Sequence, residues 1–206
     1  MPLSEPLEST LAAWAESAPT ARRQEALSPL ADWIRERAMR CERADLVFVC
    51  THNSRRSHIA QLWAQAAAYH CGLANVVTWS GGTEATAFNP RAVRAMRDAG
   101  FGLEDSGQRR SGENIVYRAD CGEGYATQEL FSKVYSDDSN PQADFAAVMV
   151  CDSADAACPL VPGAALRIAL PFVDPKRADD APDEAAVYAA SAVEIGQAMA
   201  WLMRAV

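Results

Sequence analysis

The chain has 206 residues, half of them hydrophobic and 22% charged, which is typical of one soluble globular domain with its own core. Its net charge of −8 argues against general binding to nucleic acid, which requires a basic surface. No apolar run is long enough to span a bilayer, and the polar N-terminus lacks the pattern of a secretory signal. We therefore expect a cytoplasmic protein whose six cysteines are thiols and not disulfides.

Residues 1–43 have the pattern of a helical extension. Apolar residues recur at helical spacing between positions 7 and 40, interrupted by Ser-Ala-Pro at 17–19. We predict one or two amphipathic helices that pack on a main domain spanning 44–206.

The main domain alternates short apolar runs with helix-forming segments. The runs predict buried strands at 46–49, 76–79, 146–150 and 166–170, and helices are predicted at 57–70, 90–99 and 187–206. This alternation predicts an α/β fold with a mostly parallel sheet. Segment 104–144 is rich in glycine, serine and charge, and we expect it to be an irregular insertion over or beside the site.

Three chemically reactive residues follow predicted strands. Cys50 ends the first, Cys151 follows the third, and Asp174 comes shortly after the fourth. Ligands of such sheets bind beyond the carboxyl ends of the strands. We therefore expect these three side chains to converge on one edge of the sheet.

The loop after Cys50 has the composition of an oxyanion site. Its N–H groups can point inward, the following helix start adds partial positive charge, and the planar fork of Arg56 can bind two oxygens of a tetrahedral anion. The same field favours the thiolate of Cys50, which is then a nucleophile. Ser57 could donate to that sulfur, and Asn53 could brace the loop. The predicted oxyanion-binding residues are Thr51, His52, Asn53, Ser54, Arg55, Arg56 and Ser57.

Other interpretations of this segment have less support. The chain has no Gly-x-x-x-x-Gly-Lys-Ser/Thr loop for a nucleotide, and Ser80-Gly81-Gly82 is not a dinucleotide fingerprint. A metal site at Cys50 with His52 or His58 lacks paired ligand spacing, so we predict no metal. Cys50 could also be a small buried residue at a strand end. His58 is expected on a helix surface, and Cys41, Cys71 and Cys121 are expected to be packing or surface thiols.

The segment from Val49 to Ser57 resembles the signature loop of the low-molecular-weight protein tyrosine phosphatase superfamily, which includes the thioredoxin-coupled arsenate reductases. The resemblance covers roughly 44–206 and includes Ser80-Gly81-Gly82, Asn89-Pro90 and Asp174-Pro175 in the same order. It implies a four-stranded parallel sheet flanked by helices. It also implies that Asp174 is the general acid of a phosphatase. Arg55 and His52 depart from the reductase pattern, where a cysteine or small residue and a glycine are usual.

The segment from Cys151 to Cys158 is similar to the relay of the reductases. That resemblance implies that Cys151 is the resolving thiol and Cys158 the relay thiol, with thioredoxin or another thiol as external reductant and no bound cofactor. The alternative is that both are packing cysteines.

Three functions remain open, all with arsenate or phosphate as ligand. The first is thiol-dependent arsenate reduction, and the second is hydrolysis of phosphotyrosine or small phosphoesters. The third is a non-catalytic oxyanion-binding module. Lys176 and Arg177 follow Asp174-Pro175 where phosphatases carry aromatic residues, which favours the reductase unless Phe172, Trp79 or Tyr135 supplies the aromatic wall.

Overall fold

A computed structural model describes residues 3–158 and 160–206 of the chain. The first two residues of the predicted extension and Pro159 in the predicted relay segment lie outside the described residues. The helices are α1 Glu5–Ala13, α2 Ala21–Met39, α3 Arg56–His70, α4 Pro90–Asp98, α5 Asp152–Ala157 and α6 Glu184–Arg204. The strands are β1 Ala44–Cys50, β2 Val76–Gly82, β3 Gly102–Arg109, β4 Ile115–Asp120, β5 Gln128–Leu130, β6 Phe145–Met149 and β7 Ala164–Ala169.

The central sheet has four parallel strands in the order β2-β1-β6-β7. Val47 in β1 lies opposite Trp79 in β2 and Ala147 in β6, and Met149 in β6 lies opposite Ala169 in β7. Every residue of β1 is buried, as expected for a central strand covered on both faces. The predicted α/β class with a four-stranded parallel sheet flanked by helices is confirmed.

Helices cover the sheet and leave its carboxyl edge open to the loops. Helix α3 packs on β1 and β2 and against α6, while α2 packs on β7 and α6. Pro90 at the first turn and an Asn89 side chain that accepts from the Arg91 N–H fix the start of α4. Within 3–158 and 160–206, no helix has the length and apolar character that crossing a membrane requires.

Segment 104–144, expected to be irregular, instead carries most of a second sheet with the antiparallel order β3-β4-β5. Strand β3 exposes five of its eight residues and β5 has only three residues, so neither outer strand has a continuous apolar run. In β4, Val116, Tyr117 and Ala119 are buried. Because consecutive side chains of a strand point to opposite faces, both faces of β4 are covered in part, and the exposed Arg118 and Asp120 interrupt the apolar run that would predict a buried strand.

The two N-terminal helices pack on the α/β domain through apolar side chains. Leu7 and Leu11 of α1 and Leu27, Leu30 and Ile34 of α2 are all buried in the core. Trp14, at the end of α1, packs against Trp63 of α3 with ring centroids 4.8 Å apart. Arg37 and Arg23 of α2 form ion pairs with Asp144 and Glu194.

Gly196 of α6 tests how tightly Trp14 is packed. A Cβ atom at this position would lie 2.7 Å from two ring atoms of Trp14 and 3.0 Å from Trp63. Gly196→Ala is therefore expected to lower the free energy of unfolding by about 1–3 kcal/mol, although alanine normally favours a helix. Urea unfolding measures this change. In a Trp14→Leu background the same substitution should cost clearly less, and an equal cost in both backgrounds would contradict the packing.

Candidate active site at the end of β1

The loop 51–55 leaves the buried end of β1 and returns into α3. Cys50 is 4% exposed at the base of this loop. Because β1 is flanked by β2 and β6, the chain segments that follow those two strands border the loop.

Backbone carbonyls of the loop are turned outward and held by neighbouring segments. The Cys50 and Thr51 carbonyls accept from the N–H groups of Thr83 and Glu84 at 3.1 and 2.8 Å. The Ser54 carbonyl accepts from the Asn89 N–H at 2.8 Å. These contacts all come from the chain between β2 and the start of α4.

The His52 carbonyl is held by two hydroxyl groups. Ser132 Oγ donates to it at 2.9 Å and Thr86 Oγ1 at 3.1 Å. Ser132 is in turn fixed by the buried side chain of Asn114, which bonds both its N–H and its carbonyl. Segment 104–144 therefore contributes directly to the loop.

The backbone N–H groups of the loop differ from its hydrogen-bonded carbonyls. Among the hydrogen bonds found between residues 3–158 and 160–206, none uses a backbone N–H of residues 51–57 as donor. With the carbonyls held outward, these N–H groups are left for a ligand at the loop centre. A row of free N–H groups at a helix start is an anion-binding nest.

Asn53 and Ser57 connect the loop to the sulfur of Cys50. Asn53 has a φ of +44°, a left-handed conformation that asparagine tolerates better than most residues. Its Nδ2 donates to Ser57 Oγ at 2.8 Å, and its Oδ1 accepts from the Lys133 N–H at 2.9 Å. Because Ser57 Oγ accepts from Asn53, its own proton is free to donate to Cys50 Sγ, 3.1 Å away. A donor at this place stabilises negative charge on the sulfur.

Arg56 lies between the loop and the chain after β7. Its Nη1 donates to the Phe172 carbonyl at 2.9 Å, and its Nη2 is paired with Asp174 Oδ2 at 2.6 Å. Asp174 Oδ1 accepts from the Lys176 N–H at 3.0 Å at the start of a short 3-10 helix, Pro175–Ala178. The guanidinium and the carboxylate are thus placed together at the same edge as Cys50.

The side chain of Arg55 contacts α6 and the segment just before it. Its Nε donates to Tyr188 OH at 2.8 Å and its Nη2 to Asp179 Oδ2 at 3.1 Å. Tyr188 also donates to Asp179 at 2.7 Å. Arg55 therefore ties the loop to α6, and only its backbone N–H belongs to the row of free donors. His52 is half-exposed, with Nε2 3.7 Å from Glu84.

Cys151 lies next to the loop. Its sulfur is 3.5 Å from Thr51 Oγ1 and accepts from the Ala154 N–H at 3.3 Å, so the side chain caps α5. Cys158 is half-buried at the other end of α5, and its carbonyl accepts from Arg167. The cysteines expected to be outside the site have other surroundings: Cys41 is exposed, and burial raises the pKa of Cys71 and raises that of Cys121 to about 12.

His58, expected on a helix surface, is fully buried behind the loop, and that expectation was wrong. Its Nδ1 is 3.1 Å from Ser80 Oγ, and its ring stacks on Phe88 at 4.1 Å. Burial, with a smaller effect of the positive charge on Lys133, lowers the pKa of His58 to about 3, against an opposing effect of the Asn53 carbonyl. The histidine is therefore neutral at physiological pH.

Several residues that support the loop lie in segments whose sequence pattern does not predict a role at the site. Ser132, Lys133 and Asn114 lie in the insertion, and Tyr188 and Asp179 lie far along the chain. Burial lowers the pKa of Lys133 to about 8, opposed by Asp137. In the described part of the chain, no group of three or more His, Cys, Asp or Glu side chains is arranged to hold a metal ion.

Known proteins similar to this chain include phosphatases and arsenate reductases. A family model of low molecular weight phosphotyrosine protein phosphatases matches residues 45–121. An arsenate reductase of Brevibacillus brevis is 30% identical over 130 residues, which are 63% of this chain and 75% of the relative. One of Bacillus licheniformis is 29% identical over 139 residues, 68% of this chain and 79% of the relative.

Among solved structures, a low molecular weight protein tyrosine phosphatase of Bacillus subtilis matches with a TM-score of 0.50. The match has 17% identity and covers 78% of this chain and 95% of that one, which supports the fold alone. The chain belongs to the low-molecular-weight protein tyrosine phosphatase superfamily, close to its arsenate reductases. It is therefore an enzyme of this type and not only a binding module.

His58 makes the stability of the fold depend on pH. Below about pH 6.5 the unfolded chain protonates this histidine while the folded chain does not, so stability is lost as pH falls toward the folded pKa of about 3. Between pH 7.5 and 5 the loss from this residue is about 2 kcal/mol. His58→Gln should reduce the pH dependence of the unfolding free energy, measured in urea, by that amount. His52→Gln, at a half-exposed position, is the matched control, and equal slopes in both variants would refute the assignment.

Proposed function

We propose that this protein is a thiol-dependent arsenate reductase. The observation that carries the proposal is the position of Cys151, a buried thiol whose sulfur lies 3.5 Å from the hydroxyl of Thr51, the residue next to Cys50. A phosphatase has no use for a second thiol at this place. A reductase requires one, because its second step is an attack on the first cysteine.

The first step uses the loop. Arsenate binds to the N–H groups of residues 51–57 and to Arg56, and the Cys50 thiolate attacks the arsenic atom. A sulfur–arsenic bond forms and one arsenic–oxygen bond breaks, with the departing oxygen leaving as water after protonation. Asp174, paired with Arg56 at 2.6 Å, is the carboxyl group that we assign to deliver that proton.

The second step is the reduction. The Cys151 thiolate attacks Cys50 Sγ, so that a disulfide forms, the sulfur–arsenic bond breaks, and its electron pair stays on arsenic. The two thiols lose two electrons, arsenic goes from the +5 to the +3 state, and protonation releases arsenite. The hydrogen bond from the Ala154 N–H to the Cys151 sulfur, with the Thr51 hydroxyl 3.5 Å from the same sulfur, supports its role as the attacking group.

Cys158 is proposed to carry the disulfide outward by attacking Cys151. The two cysteines cap opposite ends of α5, so their Cα atoms are about 10 Å apart, whereas a disulfide needs less than about 7 Å. Helix α5 must therefore unwind. It has six residues, of which only Ala154 is fully buried, and a helix this short is marginal on its own. A thioredoxin-like dithiol of the cytoplasm would then attack the half-buried Cys158 and reduce the Cys151–Cys158 disulfide.

Hydrolysis of phosphate esters is the second candidate, and the position of Asp174 favours it. The same acid, loop and nucleophile would form and hydrolyse a cysteinyl-phosphate. Against a phosphotyrosine substrate, none of the three aromatic residues considered for the wall lines the mouth of the loop. The Phe172 ring is buried under Arg23, the Trp79 indole donates to Asp45, and Tyr135 lines a cavity with Pro141 and Phe145. The residues beside Asp174 are the exposed Val173, Lys176 and Arg177.

A paired assay on the wild type and Cys151→Ser tests the proposal. Arsenate reduction with thioredoxin, thioredoxin reductase and NADPH should fall by about a thousandfold or more in the variant, because a reacting group is lost. Hydrolysis of an aryl phosphate should persist in the same variant. Cys71→Ser, which changes a half-buried thiol outside the site, is the matched control and should keep both activities. Unchanged arsenate turnover in Cys151→Ser would refute the reductase, and ester hydrolysis alone would establish the phosphatase.

A further inference from the structure

The segment that carries Asp174 is held from two sides at Phe172. The Leu170 and Phe172 N–H groups donate to the Met149 and Val150 carbonyls, which extends the pairing beyond β7. On the site side, Arg56 donates to the Phe172 carbonyl at 2.9 Å. On the other side, the guanidinium of Arg23 lies over the Phe172 ring, 4.5 Å from its centroid. Phe172 is thus held by two arginines, Arg56 at its carbonyl and Arg23 at its ring.

Arg23 itself is anchored in helix α2, upstream of the α/β domain. Its Nη1 is paired with Glu194 of α6 at 2.6 Å, and its Nη2 reaches the Pro171 carbonyl at 3.5 Å. Its side chain is 22% exposed, so the contact with the Phe172 ring is partly desolvated, where a cation–π contact is stronger than at a free surface.

Segment 169–171 borders open space on this side. A cavity of about 360 Å³ lies between the segment, the start of α2 and helix α5, and its lining includes Arg22, Arg23, Asp152, Asp155 and Pro171. Hydrogen bonds from Leu170 and Phe172 hold the segment to β6, and Arg23 adds a restraint from the cavity side, because it contacts both Pro171 and Glu194 of the core helix α6.

We propose that Arg23 is a positioning residue that keeps Phe172, and through it Arg56 and Asp174, in the arrangement needed for catalysis. The inference rests on the proposed function only in assigning the chemistry to Cys50, Arg56 and Asp174, and it applies equally to the reductase and the phosphatase. The N-terminal helices then serve the active site as well as the core.

Leaving-group dependence is the readout that distinguishes positioning from stability. Protonation by Asp174 matters for phenyl phosphate, a poor leaving group, and hardly for 2,4-dinitrophenyl phosphate. Arg23→Ala should lower kcat for phenyl phosphate by about tenfold, part of the full effect of a general acid, and for the dinitrophenyl ester by less than about twofold. Arg23→Lys, which keeps a cation near the Phe172 ring and Glu194, should restore most of the loss. Arg22→Ala, the neighbouring variant at the same cavity, should match the wild type.

A second readout needs no turnover. Loss of the ordered Phe172 carbonyl should weaken phosphate binding in Arg23→Ala by about three- to tenfold in calorimetry, since Arg56 loses a partner that orients it. Glu194→Gln, which removes only the anchor of Arg23, should change both readouts in the same direction and by less. Melting temperatures of all variants monitor the fold.

The outcomes separate this inference from the proposed function. Equal loss for both esters with unchanged phosphate affinity, or no change in either readout, would overturn the positioning role of Arg23. If the wild type hydrolyses neither ester, the phosphate affinity of Arg23→Ala alone decides whether Arg23 is a positioning residue. If kcat falls more for phenyl phosphate than for the dinitrophenyl ester in Arg23→Ala but not in Asp174→Ala, Asp174 is not the acid. The function of the loop is then tested by Cys50→Ser.

Discussion

Four backbone carbonyls at and after the end of β1, those of Cys50, Thr51, His52 and Ser54, are hydrogen-bonded to segments outside the loop, and the rest of the site depends on that orientation. Peptide units are planar, so a carbonyl held outward presents its N–H group on the opposite side. Thr83, Glu84, Asn89 and Ser132 hold these carbonyls with hydrogen bonds of 2.8–3.1 Å. Without those partners the loop N–H groups would have no fixed direction, and Cys50 would lose the donors that stabilise charge on a bound oxyanion.

Each partner of the loop comes from a different part of the fold, and this explains why the site needs the whole domain. The parallel pairing of β1 with β2 brings Thr83 and Glu84 alongside, and the start of α4 supplies Asn89. The second sheet and the chain after it supply Ser132 and Lys133. The pairing of β1 with β6 brings Cys151 close to Thr51. A change that displaces one element therefore alters the loop without touching its sequence.

The proposed reaction ends in a disulfide and therefore requires local unfolding. Most of the site is rigid, because hydrogen bonds from several neighbouring elements hold the loop carbonyls and side chains. Helix α5 is the exception, since it is short. Its C-terminal end is held by Arg167, which bonds Asp155 and the Cys158 carbonyl. Stability in proteins is distributed unevenly, and a segment that must rearrange is found at the weak end of that range. The contrast between a fixed loop and a marginal α5 fits a relay of thiols.

The sequence was sufficient for the parts of the structure that rest on local pattern. The apolar run ending at Cys50, followed by a helix, predicted both β1 and the loop after it, and the positions of Cys50, Cys151 and Asp174 after predicted strands placed them at one edge of the sheet. Ser132 and Asn114 could not be found, because polar residues of a surface sheet have no signal until their partners are known. His58 was placed on the surface, since one polar residue in a helix does not reveal that both sides of that helix are covered. The contact of Arg23 with Phe172 joins positions 149 apart and has no sequence signature.

The most direct test of the account is a nitrogen–proton correlation spectrum of the protein titrated with phosphate. If the N–H groups of residues 51–57 are the oxyanion donors, their signals should shift and saturate together, while sodium chloride at the same ionic strength leaves them in place. Unmoved signals for residues 51–57, or shifts confined to other segments, would contradict the proposed site.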